Sequence, residues 1–213
     1  MQASQPKQFM PLRGLPVVMH AITAFRRSQY APKIILVLHP EWLRTWDALC
    51  SQFGFALPHE VAPGGHSRFE SVRNGLEAVV RQAGDLARSL IAVHDGARPL
   101  ITPMLIDQTF KQAAETGAAA LAVTSSCSVR VASLNGRKNN AVDRNRVYLM
   151  QTPQTFNGQL LVSAYAQPES PLFTDEASVV ERKGYPVTLV PGDTRNIKIT
   201  FPEDLPIAEI LAG

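Results

Sequence analysis

Short apolar runs alternating with amphipathic helical stretches constrain this chain more than any other feature. Residues 34–38 (IILVL), 90–93 (LIAV) and 118–124 (AAALAVT) have strand length and lack the polar alternation of a strand wetted on one side. Around the first run, residues 16–29 place Val17, Val18, Ala21, Ile22 and Phe25 on one helical stripe, and residues 41–53 predict another helix. The stretch PGGHSRFESVRNGLEAVVRQAG joins a Gly64-Gly65 turn, a Ser67-to-Glu70 capping pattern, and Val72, Leu76, Val79, Val80 and Ala83 at helical spacing. Thr102-Pro103 caps and starts a further helix that runs to Gly117. Strands buried on both faces and linked through helices predict an α/β fold, Rossmann-like, with a mostly parallel twisted sheet flanked by helices. Ligands of such sheets bind at the carboxyl ends of the strands, which directs attention to Gly64-Gly65, residues 94–98, residues 125–128 and the surroundings of Lys198.

From about 127 to 150 the texture changes. CSVRVASLNGRKNNAVDRNRVYLM is polar and β-leaning, turns at Asn135-Gly136, and lacks the apolar density for a core of its own. It predicts a protruding β-arm, whose exposed strand edges are best covered by embracing a second copy of the chain in a homodimer.

Length and composition exclude several function classes. A chain of 213 residues, 45% hydrophobic and 18% charged, suits one domain spanning 1–213. No run approaches the ~18 apolar residues of a membrane span and no leader pattern opens the chain, so a cytoplasmic address and no membrane partner are expected. Cys50 and Cys127 match no metal spacing and read as reduced thiols. The net charge of +3 is carried by dispersed Lys and Arg, which argues against nucleic acid as a partner.

Individually, the polar stretches at the strand ends admit two readings. In HDGARP, Asp95 and Arg98 either meet a hydroxyl or cation and a phosphate, or pair with each other and brace the turn. His94, with no other ligand at metal spacing, reads as hydrogen-bonded structure. GGHSRFES brings Arg68 and Ser71 to a helix N-terminus suited to an anion, or is simply a turn. In TDEAS, Thr174, Asp175 and Glu176 stand at a helix start, where acids complement the dipole. Lys198 alternates with Ile197 and Ile199 on a late strand and points to solvent or to the mouth of a site.

Together, PKQF, GGHSRFESV, HDGARP, VDRNRVYLMQTPQTF, TDEAS and RNIKITFPEDL resemble, in order and spacing, the bacterial 2-C-methyl-D-erythritol 4-phosphate cytidylyltransferases of the non-mevalonate isoprenoid pathway. The resemblance covers essentially the whole chain. It implies attack of the acceptor phosphate on the α-phosphorus of CTP and departure of pyrophosphate, with Mg2+ bridging the triphosphate and no metal held by the protein itself. By the same resemblance Lys7, Arg144 and Lys198 are catalytic, and Gly65, Ser71, Asp95 and Gly96 read the nucleotide. Asp95, Arg98, Ser128, Thr152 and Thr174 meet the polyol and its phosphate. Two departures accompany it. Met1-Gln2 fall where the family's Gly-rich loop closes, so a first strand and nearly all of that loop are expected to be missing, through a misassigned start or a trimmed chain. The arm's usual Asp-Thr or Asp-Ser pair is Cys127-Ser128 here, which keeps the hydroxyl and loses the acid. The alternatives are a ribitol 5-phosphate cytidylyltransferase, which shares nearly all these stretches, and a non-catalytic dimeric homologue.

Overall fold

The structure is a computed structural model that describes residues 6–213; Met1 and Gln2, read as the end of a loop, lie outside the described residues. A small antiparallel ribbon, β1 (Pro11–Leu12) with β2 (Leu15–Pro16), leads into α1 (Val17–Arg27). Next come β3 (Ile35–Leu38), α2 (Leu43–Phe53), β4 (Glu60–Pro63), α3 (Arg68–Gln82), β5 (Leu90–Val93), α4 (Pro103–Thr116) and β6 (Ala118–Thr124). An arm of β7 (Val129–Ala132) and β8 (Asn139–Val142) precedes β9 (Tyr148–Asn157), α5 (Gly158–Tyr165), α6 (Glu176–Glu181), β10 (Thr188–Pro191) and α7 (Asp204–Leu211).

The caps follow the sequence closely. Thr102 accepts a hydrogen bond from the Leu105 amide, Pro103 opens α4, and Gly117 ends it at φ 82°, where a side chain would be strained. On α3, Ser67 accepts from the Glu70 amide, but the Glu70 carboxylate reaches the His66 amide at 2.8 Å instead of its own cap residue. That bond ties the Gly64-Gly65 turn to the helix it feeds.

The main sheet has the order β10-β6-β9-β5. Its β10–β6 pair is parallel, but β9 runs antiparallel to both β6 and β5, so the sheet is mixed where the sequence predicted a mostly parallel one. The cause is the arm. A chain that leaves β6, turns through β7 and β8 and returns directly beside β6 has to come back in the opposite direction. β3 and β4 form a separate parallel pair.

Each face of the sheet carries its own core. Ala119 and Leu121 of β6 pack with Phe25, Ile106 and Phe110 of α1 and α4. Ala118, Phe156 and Ile91 pack with Phe69, Leu161, Tyr165 and Val180 of α3, α5 and α6. Alanines at 118, 119, 120 and 122 leave little side chain between β6 and its covering helices, which brings α4 close to the strand. A third cluster gathers Phe9, Met19, Ile22, Leu38 and Trp46 beneath the N-terminal segment. The arm contributes to none of these cores. β7 and β8 pair from Val129↔Val142 to Ala132↔Asn139, Gly136 turns the hairpin at φ 69°, and Val131 and Leu134 lie exposed.

Phe156 is fully enclosed, whereas Ile210 on α7 is 79% exposed. Phe156→Ala should lower the unfolding free energy by about 3–5 kcal/mol in urea titrations, and Ile210→Ala should stay within about 0.5 kcal/mol of the parent chain.

Candidate active site

Asp95, two residues beyond the end of β5, is the centre of the site. Its Oδ2 lies 3.0 Å from Lys198 Nζ and 3.5 Å from Arg98 Nε, and its Oδ1 lies 3.3 Å from an Arg68 nitrogen. Burial acts to raise the carboxyl's pKa, but the charges of Lys198 and Arg68 outweigh it and hold the group down at about 2. Lys198 reaches in from residues 196–200, an extended segment anchored by the Ile199 amide on the Ala97 carbonyl at 2.8 Å. Its alternation is as the sequence predicts, with Ile197 and Ile199 on the packed side and Lys198 opposite. The late strand is not formed, because the segment pairs with no ladder.

Lys7 belongs to the same electrostatic group. It opens a short 3-10 turn, Lys7–Phe9, whose Phe9 ring stacks on Trp46. Burial and then the positive charge of Lys198 push the Lys7 ammonium pKa below its usual value, with Asp95 pulling the other way. The Lys7 ammonium thus lies in the field of Lys198 on one side and of the Asp95 and Asp204 carboxylates on the other.

Beneath Asp95 the hydrogen bonds run in a fixed sense. The Asp95 amide donates to Thr152 Oγ1 at 3.0 Å, and Thr152 Oγ1 lies 3.0 Å from His94 Nδ1. His94 Nε2 faces the Arg98 carbonyl at 3.1 Å, which can only accept, so Nε2 carries the proton and Nδ1 accepts from the Thr152 hydroxyl. Burial keeps this imidazole neutral, with its pKa down at about 4. His94 is therefore structural, as the sequence suggested. Arg98 donates to the carbonyls of Asn196 at 2.7 Å and Met150 at 3.4 Å, while its buried Nε has no hydrogen-bond partner among the described residues. The guanidinium braces the turn as well as lying beside Asp95.

The nucleotide candidates flank this centre. The Gly65 amide donates to Ser71 Oγ at 3.0 Å, and Ser71 donates to the Ser67 carbonyl at 2.8 Å. A Cβ at Gly65 would stand 2.3 Å from Glu70 Cβ, so only glycine fits there. Gly96 backs onto Val18, which a Cβ would approach to 3.3 Å. Thr174 is exposed beside the α6 cap, its amide donating to Ser178 Oγ at 3.1 Å. Arg144 and Ser128 stand apart. Both are exposed at the base of the arm; Arg144 donates to the Ser126 carbonyl at 3.1 Å, and among the described residues neither makes a hydrogen bond or ion pair to the Asp95 group.

Three bracing roles escaped the sequence reading. Asn196, fully buried, donates to the Thr152 carbonyl at 3.0 Å, and Gln151 donates to the Asp193 carbonyl at 2.8 Å, so the two knit β9 to the segment carrying Lys198. Glu176 holds Arg68 from below through contacts at 2.5 and 3.0 Å. Polar residues inside a strand and an acid at a helix start carry no sequence signal that separates such bracing from solvation.

The sequence profile of a family described as "IspD: 2-C-methyl-D-erythritol 4-phosphate cytidylyltransferase" matches residues 1–213. The 2-C-methyl-D-erythritol 4-phosphate cytidylyltransferase of Azobacteroides pseudotrichonymphae is 43% identical over 212 residues, covering 99% of this chain and 92% of that one. The protein of the same description from Porphyromonas gingivalis is also 43% identical, with 99% and 91% covered. A crystal structure of 4-diphosphocytidyl-2C-methyl-D-erythritol synthase, 31% identical, superposes with a TM-score of 0.84 over 98% of this chain and 95% of its own. The crystal structure of the 2-C-methyl-D-erythritol 4-phosphate cytidylyltransferase from Thermus thermophilus, 30% identical, gives 0.77 over 99% and 95%.

The neutral imidazole makes stability depend on pH in a definite direction. The unfolded chain takes up the His94 proton near pH 6.5 and the folded chain only near 4, so stability falls as pH drops through that window, by at most about 3 kcal/mol. Asp95 acts lower, its contribution complete above the unfolded value of 3.8 and lost progressively as pH falls from there to about 2. Urea titrations between pH 7 and 4 should show the decline, and His94→Gln should flatten it.

Proposed function

Because the chain belongs to the 2-C-methyl-D-erythritol 4-phosphate cytidylyltransferase family, we propose that the residues gathered around Asp95 are the seat of its chemistry. The protein is a nucleotidyltransferase that transfers CMP from CTP to 2-C-methyl-D-erythritol 4-phosphate, a step of isoprenoid biosynthesis. An oxygen of the acceptor phosphate forms a bond to the α-phosphorus, the bond to the bridging oxygen breaks, and pyrophosphate leaves with the electron pair. Negative charge accumulates on a crowded phosphorus, and fixed cations serve it best.

The observation that carries this assignment is the convergence of Lys198, Arg98 and Arg68 on Asp95, beside a Lys7 ammonium that burial and then the Lys198 charge hold below its usual pKa. Holding two ammonium groups in one field costs free energy until an anion enters between them, and a phosphoryl group in transit is such an anion. Lys7 stabilises the transferred phosphoryl group, and Lys198, with Asp95 as its counter-ion, holds the acceptor phosphate in line. Gly65, Ser71, Asp95 and Gly96 contact the cytidine, the bare Gly65 backbone leaving room for close approach. Arg98, Thr152 and Thr174 border the polyol.

Magnesium fits as part of the nucleotide complex. Mg2+ would be held mainly through the CTP phosphates and would supply Lewis-acid relief of their charge, while the cations flanking Asp95 suit phosphate oxygens. The arm completes a homodimer in which Arg144 and Ser128 serve the partner copy's acceptor site; their exposure and lack of bonds to their own Asp95 group favour that arrangement. The chain acts as one nucleotidyltransferase domain over 1–213. A cytoplasmic enzyme is in keeping with its free Cys50 and Cys127, and no helix among the described residues is long and apolar enough to cross a membrane.

Lys7→Ala should lower kcat by ~10² or more while CTP binding, measured by calorimetry, changes less. Lys198→Ala should also raise the KM for the polyol phosphate. A normal rate in either variant would return that lysine to the role of a solvated surface charge.

Shared sites predict complementation between dead variants. Arg144→Ala and Lys198→Ala homodimers should each be nearly inactive, yet random subunit exchange should restore about a quarter of all sites, because one site in each mixed dimer is intact. Activity that stays at the parental level after exchange, verified by native mass spectrometry, would rule out the shared site.

A further inference from the structure

Glu176 is a charged side chain with no exposure at all, at the first position of α6. A carboxylate in such a place is costly unless its geometry and hydrogen bonds are nearly complete. Here they are. Arg68 donates to Oε1 at 2.5 Å and to Oε2 at 3.0 Å in a forked pair, and the Tyr165 hydroxyl adds a third bond to Oε1 at 3.2 Å. Tyr165 is itself immobilised, its ring stacked on Phe69 with centroids 4.7 Å apart. The α6 N-terminus is held in turn, because Gln154 of β9 donates to Asp175 at 2.9 Å and accepts from the Ala177 amide at 2.8 Å.

Arg68 connects this buried group to the site. The nitrogen that bonds Glu176 Oε2 also donates to Asp95 Oδ1 at 3.3 Å, so one guanidinium joins α6 to the turn after β5. Arg68 is also the first residue of α3, directly after the Gly64–Ser67 turn assigned to the nucleotide. Its charge is taken up by two carboxylates, which leaves it poorly placed as a phosphate ligand and well placed to fix the distance between the two halves of the site.

We propose that Glu176 and Arg68 are a positioning pair for the transfer reaction: Glu176 locks the Arg68 guanidinium, and Arg68 sets the Asp95 carboxylate that aligns Lys198 and ties the nucleotide turn to the acceptor side. The assignment rests on the placement of the nucleotide and acceptor around Asp95 proposed above. Neither residue touches a reacting atom. The charged groups facing Asp95 are Lys198, Arg68 and Arg98, with His94 adjacent in the chain and Lys7 sharing the field.

A hydrophobic replacement separates positioning from simple support. A buried ion pair exchanged for apolar side chains of similar size often leaves stability unchanged or improved. Arg68→Met with Glu176→Leu should therefore melt close to the parent while kcat/KM for both substrates falls at least tenfold. The acid limb of the kcat/KM profile should also move to higher pH, because Asp95 has lost a neighbouring cation. If that double variant does not fold, Glu176→Gln, which keeps size and shape, serves the same end: kcat/KM should drop at least tenfold, and Glu176→Asp should recover a substantial part by restoring the charge. A folded double variant with parental kcat/KM and an unmoved acid limb, or a Glu176→Gln variant with parental kcat/KM, would overturn the proposal. Lys198→Ala is assayed in parallel. An impaired Lys198→Ala beside unaffected pair variants sinks the positioning role alone, whereas unimpaired transfer by Lys198→Ala sinks the placement of the site and this proposal with it.

Discussion

One carboxylate organises this molecule. Asp95 stands where β5 ends, and three cations from three different parts of the chain converge on it: Arg68 from the start of α3, Arg98 from its own turn, and Lys198 from the segment before α7. The charges of Lys198 and Arg68 together overcome the burial that opposes ionisation, although solvent screens both. Positive charge exceeds negative around this turn even with Glu176 sharing Arg68, which is the electrostatic basis for proposing a phosphorylated ligand here.

Holding that arrangement requires polar groups in places normally given to apolar ones. β9 runs through the middle of the sheet carrying Gln151, Thr152, Gln154 and Thr155, all buried. Each has a partner. Thr155 donates to Thr109 beneath the sheet, Gln154 grips the α6 turn, Thr152 supports the Asp95 amide, and Gln151 holds the loop before Lys198. Such a strand contributes less hydrophobic free energy than a run of valines, but it specifies one orientation for the loops at its end.

The sequence was legible where burial and local chemistry coincide. The strands at 35–38, 90–93 and 118–124 and the caps of α3 and α4 follow from apolar runs and from Ser67, Thr102 and Gly117, because each signal is contained within a few residues. β9 was not legible as a strand, since its periodicity is interrupted by buried glutamines and threonines whose partners lie far away in sequence. The mixed sheet direction followed from that same strand. At the candidate site Lys198 meets Asp95 directly and Lys7 lies within their electrostatic field, a grouping of residues far apart in the chain that the bare residues leave open and only the family resemblance pointed to. The bracing by Asn196 and Glu176 was hidden, because a buried Asn or Glu and a solvated one look alike until the fold sets their neighbours.

The N-terminal turn has a property of its own. Both tryptophans of the chain, Trp42 and Trp46, lie against the Phe9 ring, with centroids 6.2 and 6.1 Å away, and Phe9 is two residues from Lys7. Trp46 also donates its indole N–H to His59 at 3.0 Å. The tryptophan fluorescence of the protein therefore originates beside Lys7. Any shift of that turn should register as a change in emission, giving the molecule a label-free optical gauge of its N-terminal segment.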